Sequence, residues 1–199
     1  MTKKKSNQLA IRSKDLLTEA FFALLKENPH KRIQVKDLCE RAKISRPTFY
    51  AHYGTVEDIL REYLDESLEC IFDEIRPSLE LEVPPEKQML DASICYYRFW
   101  GEHVDLFKEI QAAGMENIII ENIKKNTLFN YQNFASKINK IEDVEIVEFL
   151  VSLLSNSSYH LISLWIKKGL QRSVEEMAET FLLMIPPKIM NSLAERFNK

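Results

Sequence analysis

The chain has 199 residues, enough for one large or two small domains, and its 45% hydrophobic and 29% charged content is that of an ordinary globular protein. Only four glycines argue against a turn-rich β fold and against a phosphate-cradling glycine loop, while three scattered cysteines (Cys39, Cys70, Cys95) argue against a disulfide framework and fit a reducing cytosol. The net charge of −3 conceals a division: residues 1–54 carry 12 Lys/Arg against 5 Asp/Glu, a surplus of +7, and the remainder carries −10. Such asymmetry suggests that one segment meets a polyanion and the other does not.

Taken in chain order, the opening MTKKKSNQ has no apolar stretch behind its lysines and does not read as a signal peptide. Lys3, Lys4 and Lys5 are expected to be a disordered arm in the absence of a partner. A first helix is predicted over 12–27, where Leu16, Leu17, Ala20, Phe21, Leu24 and Leu25 recur at helical spacing, until Asn28 and Pro29 stop it. A second helix is predicted over 35–42. A short third begins at Ser45, a suitable N-cap, with Pro47 in the first turn where its missing N–H costs nothing. A long fourth helix is predicted over 55–75, capped by Thr55, and Pro77, Pro84 and Pro85 punctuate the chain beyond it.

Further helices are predicted at 86–100, 103–112, 115–137, 143–168, 174–184 and 188–197, with Gly101, Gly114 and Gly169 between some of them as stop signals. Ser173 and Glu176 have the spacing of a capping box. The most apolar stretch, 149–166, is interrupted by Ser155, Asn156, Ser157, Ser158 and His160, and reads as a buried helix, with no membrane span expected. No alternating strand pattern or internal repeat appears, so the fold class is all-α.

Residues 33–53, IQVKDLCERAKISRPTFYAHY, describe helix, tight turn, short helix. Arg46, Thr48, Tyr50, Ala51 and His52 surround Phe49, which is expected to be buried. A short polar helix of this kind can enter a major groove about 12 Å wide. Arginine and threonine near its start can reach base edges, and tyrosine, histidine and lysine can reach phosphates.

The run VKDLCERAKISRPTFYAHYGTVEDIL resembles the DNA-binding domain of the TetR family of transcriptional regulators, over roughly residues 10–60. Ala42, Ile44, Ser45, Thr48, Phe49, Tyr50, His52 and Tyr53 match the family's turn and its threonine–aromatic–tyrosine, histidine–aromatic pattern. Two positions depart from it. Lys43 stands where a turn glycine is usual, at a strain of about 1 kcal/mol if it is left-handed. Val56 stands where a phosphate-touching lysine is common, leaving that contact absent or supplied by Lys36 or Lys43. The resemblance implies a helix-turn-helix domain over 1–54 and a helical ligand-binding and dimerisation domain over 55–199. It further implies Lys36, Lys43, Ser45, Arg46, Pro47, Thr48, Tyr50, His52 and Tyr53 as DNA-binding residues.

LWIKKGLQRSVEEMAETF resembles the tail of a TetR subgroup, and implies a homodimer through residues 143–184. Tyr96, Tyr97, Phe99, Trp100, His103 and Phe107 form the densest aromatic cluster, which reads either as core or as the wall of a pocket. The pocket reading takes Tyr96, Trp100, His103, Phe107, Ile119, Phe129, Tyr159 and Ile162 as its lining. Its chemistry favours a small hydrophobic or aromatic effector. The four histidines show no metal-ligand spacing with the cysteines, and no nucleophile motif is recognisable, so neither a metal, a cofactor nor an enzymatic activity is expected. The function implied is a cytoplasmic repressor released from a near-palindromic operator by a ligand. The alternative is a DNA-binding protein of this type acting as an activator, or with a protein partner and no small ligand.

Overall fold

The computed structural model describes residues 2–80, 84–134 and 144–185. Among them are nine helices and no strand: α1 (Thr2–Glu27), α2 (Val35–Ala42), α3 (Arg46–Tyr50), α4 (Glu57–Glu80), α5 (Pro85–Glu102), α6 (Val104–Ala112), α7 (Glu116–Phe134), α8 (Val144–Lys167) and α9 (Val174–Leu182). The all-α expectation is met. The helix expected at 188–197 lies outside the described residues.

Three boundaries differ from expectation. α1 begins at Thr2, ahead of the expected start at residue 12, so the segment holding Lys3, Lys4 and Lys5 falls within its bounds. Nothing between Thr2 and Glu27 is a proline or glycine, so no residue there breaks the helix, although the first turns lack an apolar rhythm. α4 starts at Glu57 and runs through Pro77 to Glu80. The proline deletes one backbone hydrogen bond without ending the helix. α3 is only five residues long, and a turn separates it from α4.

The chain packs as two compact units. The first comprises Met1–Leu64 and Asp105–Ile118. Its core joins Leu17, Phe21 and Leu25 of α1, Leu38 of α2, Phe49 of α3, Ile59, Leu60 and Leu64 of α4, and Phe107 and Ile110 of α6, all essentially inaccessible to solvent. Each such side chain contributes about 1.5–3 kcal/mol by burial. A fork between Arg41 and Glu27, with Nη1–Oε1 2.8 Å and Nη2–Oε2 2.5 Å, ties α2 to the end of α1. The expected junction at 54/55 falls within this unit, because the first two turns of α4 and all but the first residue of α6 pack with the N-terminal helices.

The second unit comprises Asp65–Val104 and Ile119–Lys199. Tyr96, Tyr97 and Trp100 of α5, Ile119 and Ile123 of α7, Ile162 and Trp165 of α8, and Met177 and Ala178 of α9 form its interior. Gly101 lets α5 meet α8 closely: a β-carbon there would lie 3.1 Å from Cη2 of Trp165. The indole is anchored in turn, its Nε1–H donating to the Arg172 carbonyl at 2.9 Å. α8 ends in a tight turn with Gly169 at φ 73° and Leu170 at φ 56°. The expected capping box then opens α9: Ser173 Oγ accepts the Glu176 N–H, and the Glu176 carboxylate accepts the Ser173 N–H. α8, over Glu145–Lys167, is the one described helix long and apolar enough to cross a membrane, and it is partly buried in the second unit.

Candidate nucleic-acid interface

The helix-turn-helix segment is set by three local devices. At the end of α2, Lys43 adopts φ 55°, ψ 37°, the left-handed conformation expected where the family pattern has glycine, and its N–H bonds back to the carbonyls of Cys39 and Glu40. Ile44 N–H closes the turn on the Cys39 carbonyl at 3.0 Å. Ser45 then caps α3, accepting the Thr48 N–H at 3.2 Å and sharing a 2.7 Å hydroxyl–hydroxyl bond with Thr48. Phe49, fully buried, fastens the short helix to the core beneath it.

This anchoring leaves the opposite face open. Ser45, Arg46, Pro47 and Tyr50 are exposed, Tyr50 at 59%, and Thr48 and His52 are partly exposed. Lys36 and Lys43 are exposed on the preceding helix and turn. Four basic residues of the N-terminal segment are matched by carboxylates: Lys14 by Glu62, Lys31 by Asp37, Arg32 by Glu57 and Arg41 by Glu27. Among the described residues no carboxylate lies within ion-pairing distance of Lys36 in α2, Lys43 in the turn or Arg46 at the start of α3. The local positive charge is therefore uncommitted where the exposed face lies, and that arrangement is suited to a polyanion.

Tyr53 departs from its expected place. It is only 5% exposed, and its hydroxyl is turned inward, donating to Glu62 Oε2 at 2.5 Å. Val56, which replaces the commonly phosphate-bound lysine, is also buried and belongs to the core.

The eight residues expected to line a pocket are distributed between the two units. Tyr96, Trp100, Ile119, Tyr159 and Ile162 are buried in the second unit, and the Tyr96 and Trp100 rings lie edge to face with centroids 6.4 Å apart. His103 ends α5 in that unit, stacked on Phe99 at 4.3 Å with Nδ1 2.7 Å from the Phe99 carbonyl. Since the carbonyl can only accept, that nitrogen carries a proton. Phe107 is buried in the first unit. Phe129 lies in α7, with its side chain outside the described residues.

Two features of the second unit are not apparent from sequence. Asn122, buried in α7, donates to Asp65 at 3.3 Å and lies 3.5 Å from the Tyr96 hydroxyl, and Lys125 pairs with the same aspartate. The Tyr96 phenol is pushed well above its ordinary pKa by burial, so it stays a protonated donor. A groove of about 550 Å³ is lined by Leu161, Leu164, Trp165, Met177 and Thr180, with Lys168, Gln171 and Arg172. None of these lining residues belongs to the expected pocket. No grouping of three or more His, Cys, Asp or Glu that could hold a metal occurs among the described residues.

No family model matches the chain, and no curated protein matches it in sequence. Solved structures do match its fold. A TetR transcriptional regulator from Streptococcus agalactiae 2603V superposes with a TM-score of 0.59 at 19% identity, over 92% of this chain and 98% of that one. The fatty acid degradation regulator FadR from Bacillus halodurans gives 0.56 at 13% identity, over 85% and 92%. The dihydroxyacetone kinase operon activator DhaS gives 0.53 at 14% identity, over 92% and 96%. The chain therefore has the all-helical fold of the TetR-type transcriptional regulators, along nearly its whole described length.

Proposed function

We propose that this chain is a DNA-binding transcriptional regulator, without enzymatic activity, that works in the cytoplasm as a homodimer on a near-palindromic operator. The observation that carries this reading is the exposed face of α3, with Arg46 and Tyr50 on it and with Arg46, Lys36 and Lys43 paired to no carboxylate among the described residues, in a fold shared with TetR regulators. In this reading Arg46 and Thr48 meet base edges, while Ser45, Pro47, Tyr50, His52, Lys36 and Lys43 meet or adjoin the backbone. Selection of duplexes from a randomised pool tests it. The chain enriches a two-fold symmetric sequence, and Arg46→Ala weakens that binding by about 1–3 kcal/mol while relaxing preference at one base per half-site. Equal loss on selected and random duplexes would make Arg46 a phosphate contact.

The dimer part of the proposal is supported by an apolar stripe on α8. Ile146, Phe149, Leu153 and Leu164 are 46%, 64%, 62% and 48% exposed, spaced along one face of the helix. Ile146, Phe149 and Leu153 follow one another on that face, and Leu164 lies on it three turns further on, beyond Asn156, Ser157 and His160; monomers rarely leave large apolar side chains grouped in this way in water. A second copy pairing through residues 143–184 would cover it. The groove beside Leu161 and Trp165 lies on the same two helices and belongs to the same proposed interface.

Regulation is proposed to depend on ligand binding in the second domain: a small hydrophobic or aromatic compound that prefers one spacing of the two reading helices shifts the population towards it. The burial of Tyr96, Trp100, Ile119, Tyr159 and Ile162 in one unit supports an apolar environment, with Tyr96, His103 and Tyr159 as the polar groups that orient the ligand. Thermal shifts across a panel of neutral, cationic and anionic compounds test it, with Tyr96→Phe expected to weaken the response to a true ligand. Repression by a ligand-released protein is the primary reading. Activation is the second, favoured by the fold shared with DhaS, an operon activator.

A further inference from the structure

α4 presents two carboxylates one turn apart to the segment that leaves α3. Asp58 Oδ2 accepts the N–H groups of Gly54 at 3.0 Å and Thr55 at 2.7 Å. One turn further on, Glu62 takes the Tyr53 hydroxyl on Oε2 at 2.5 Å and pairs through Oε1 with Lys14 of α1. The Lys14 ammonium also lies 5.5 Å from the centre of the Tyr53 ring, within cation–π range. The ring also meets Phe49 with centroids 5.9 Å apart, and Phe49 meets Tyr50 at 5.2 Å. A line of contacts thus runs from α1 and α4 through Tyr53 and Phe49 to the exposed face of α3.

We propose that Glu62 is a positioning residue for the DNA-reading surface: by holding Tyr53 and Lys14 together it fixes the pose of α3 against α1 and α4, and with it the aim of Arg46 and Tyr50. The inference rests on the DNA-binding reading above and adds a residue outside the reading helix to it. A phenylalanine at position 53 would fill the same buried space without a polar atom. A buried tyrosine hydroxyl instead needs an acceptor, and leaving it unmet is costly. Glu62 is that acceptor, and it is shared with a cation from a third helix. Burial works to raise the pKa of the Glu62 carboxyl, but hydrogen bonds from Lys14 and Tyr53 and the charge of Lys14 hold it below the ordinary carboxylate range. It is therefore ionised, and accepts both partners, throughout the neutral range.

The test compares Tyr53→Phe, Glu62→Ala and the double variant with the unmodified chain, on a duplex selected by that chain and on a scrambled duplex. Tyr53→Phe keeps the ring and its packing, so the fold survives. Positioning predicts that both single variants lose affinity for the selected duplex about five- to tenfold, the order of the net contribution of one intramolecular hydrogen bond. Affinity for the scrambled duplex stays unchanged, and the double variant loses no more than the larger single loss. Glu62→Gln, which retains an acceptor for Tyr53, recovers part of the loss. Full affinity of Tyr53→Phe for the selected duplex overturns the inference while leaving the DNA-binding reading standing. So does a silent Glu62→Ala beside a Tyr53→Phe that weakens both duplexes equally, since Tyr53 would then be a direct phosphate contact. A chain that enriches no duplex at all overturns the DNA-binding reading and this inference with it.

Discussion

Lys43→Gly should make the protein more stable and its DNA binding weaker. Lys43 holds φ 55° at the end of α2, where a side chain crowds the next carbonyl. The left-handed conformation costs a non-glycine residue about 1–2 kcal/mol, while glycine gives back about 0.4–1 kcal/mol through its freer unfolded chain. The balance is a gain of roughly 0.5–1 kcal/mol, or a few degrees in melting temperature for a domain of this size. Lys43→Ala is the control. Alanine retains the β-carbon and hence the strain, so it should melt close to the parent. The exposed ammonium is lost in both variants, and if it neutralises one phosphate, the log–log salt slope of duplex binding falls by about 0.9 in each. Differential scanning calorimetry and binding titrations at several salt concentrations read the two effects separately. A Lys43→Ala gain equal to that of Lys43→Gly would refute the reasoning, because charge and not backbone conformation would then be the cause.

Three other outcomes are expected from the packing and charge. Gly101→Val should destabilise by about 1–3 kcal/mol, because a β-carbon there already meets Trp165 at 3.1 Å and the indole is tethered to the Arg172 carbonyl; a melting temperature at or above the parent's would mean that the indole moves aside. Glu62 is held below the ordinary carboxylate pKa in the folded state, so its stabilisation is present above the unfolded value of about 4.3 and is lost as pH falls through the folded one. Glu62→Gln should accordingly flatten part of the acid melting profile below that pH, and an unchanged profile would show that the carboxylate contributes nothing there. Phe149→Asp, placed on a side chain that is 64% exposed, should yield monomers by light scattering with little change in helix content, and an unaltered dimer would remove α8 from the interface.

Much of this organisation is legible in the sequence because the decisive signals are local. The αL turn at Lys43, the Ser45 cap, the Ser173–Glu176 capping box and the bounds of α2 all depend on residues within four positions of one another. The features that sequence does not disclose depend on distant partners. Tyr53 follows the exposed Tyr50 and the partly exposed His52 in the family pattern, but its hydroxyl is taken by Glu62, nine positions further on in α4. Phe107 comes after the aromatic cluster of α5 in sequence, yet it packs with the N-terminal helices, because the chain passes from the second unit to the first between Val104 and Asp105. The start of α1 is hidden because its lysine-rich turns carry no apolar period, and the end of α4 because a proline does not always stop a helix. The Asn122–Asp65–Lys125 group is likewise a tertiary meeting of ordinary surface residue types.

The central claim is that two copies of α3 read two half-sites at once. The most direct test is the affinity of the chain for its selected duplex before and after insertion of five base pairs between the half-sites. Half a helical turn carries the second half-site to the opposite face of the duplex, where a dimer built for a repeat of about 34–36 Å cannot reach it. Binding is expected to drop to the level of a single half-site. Equal affinity for the parent and five-base-pair duplexes would contradict it.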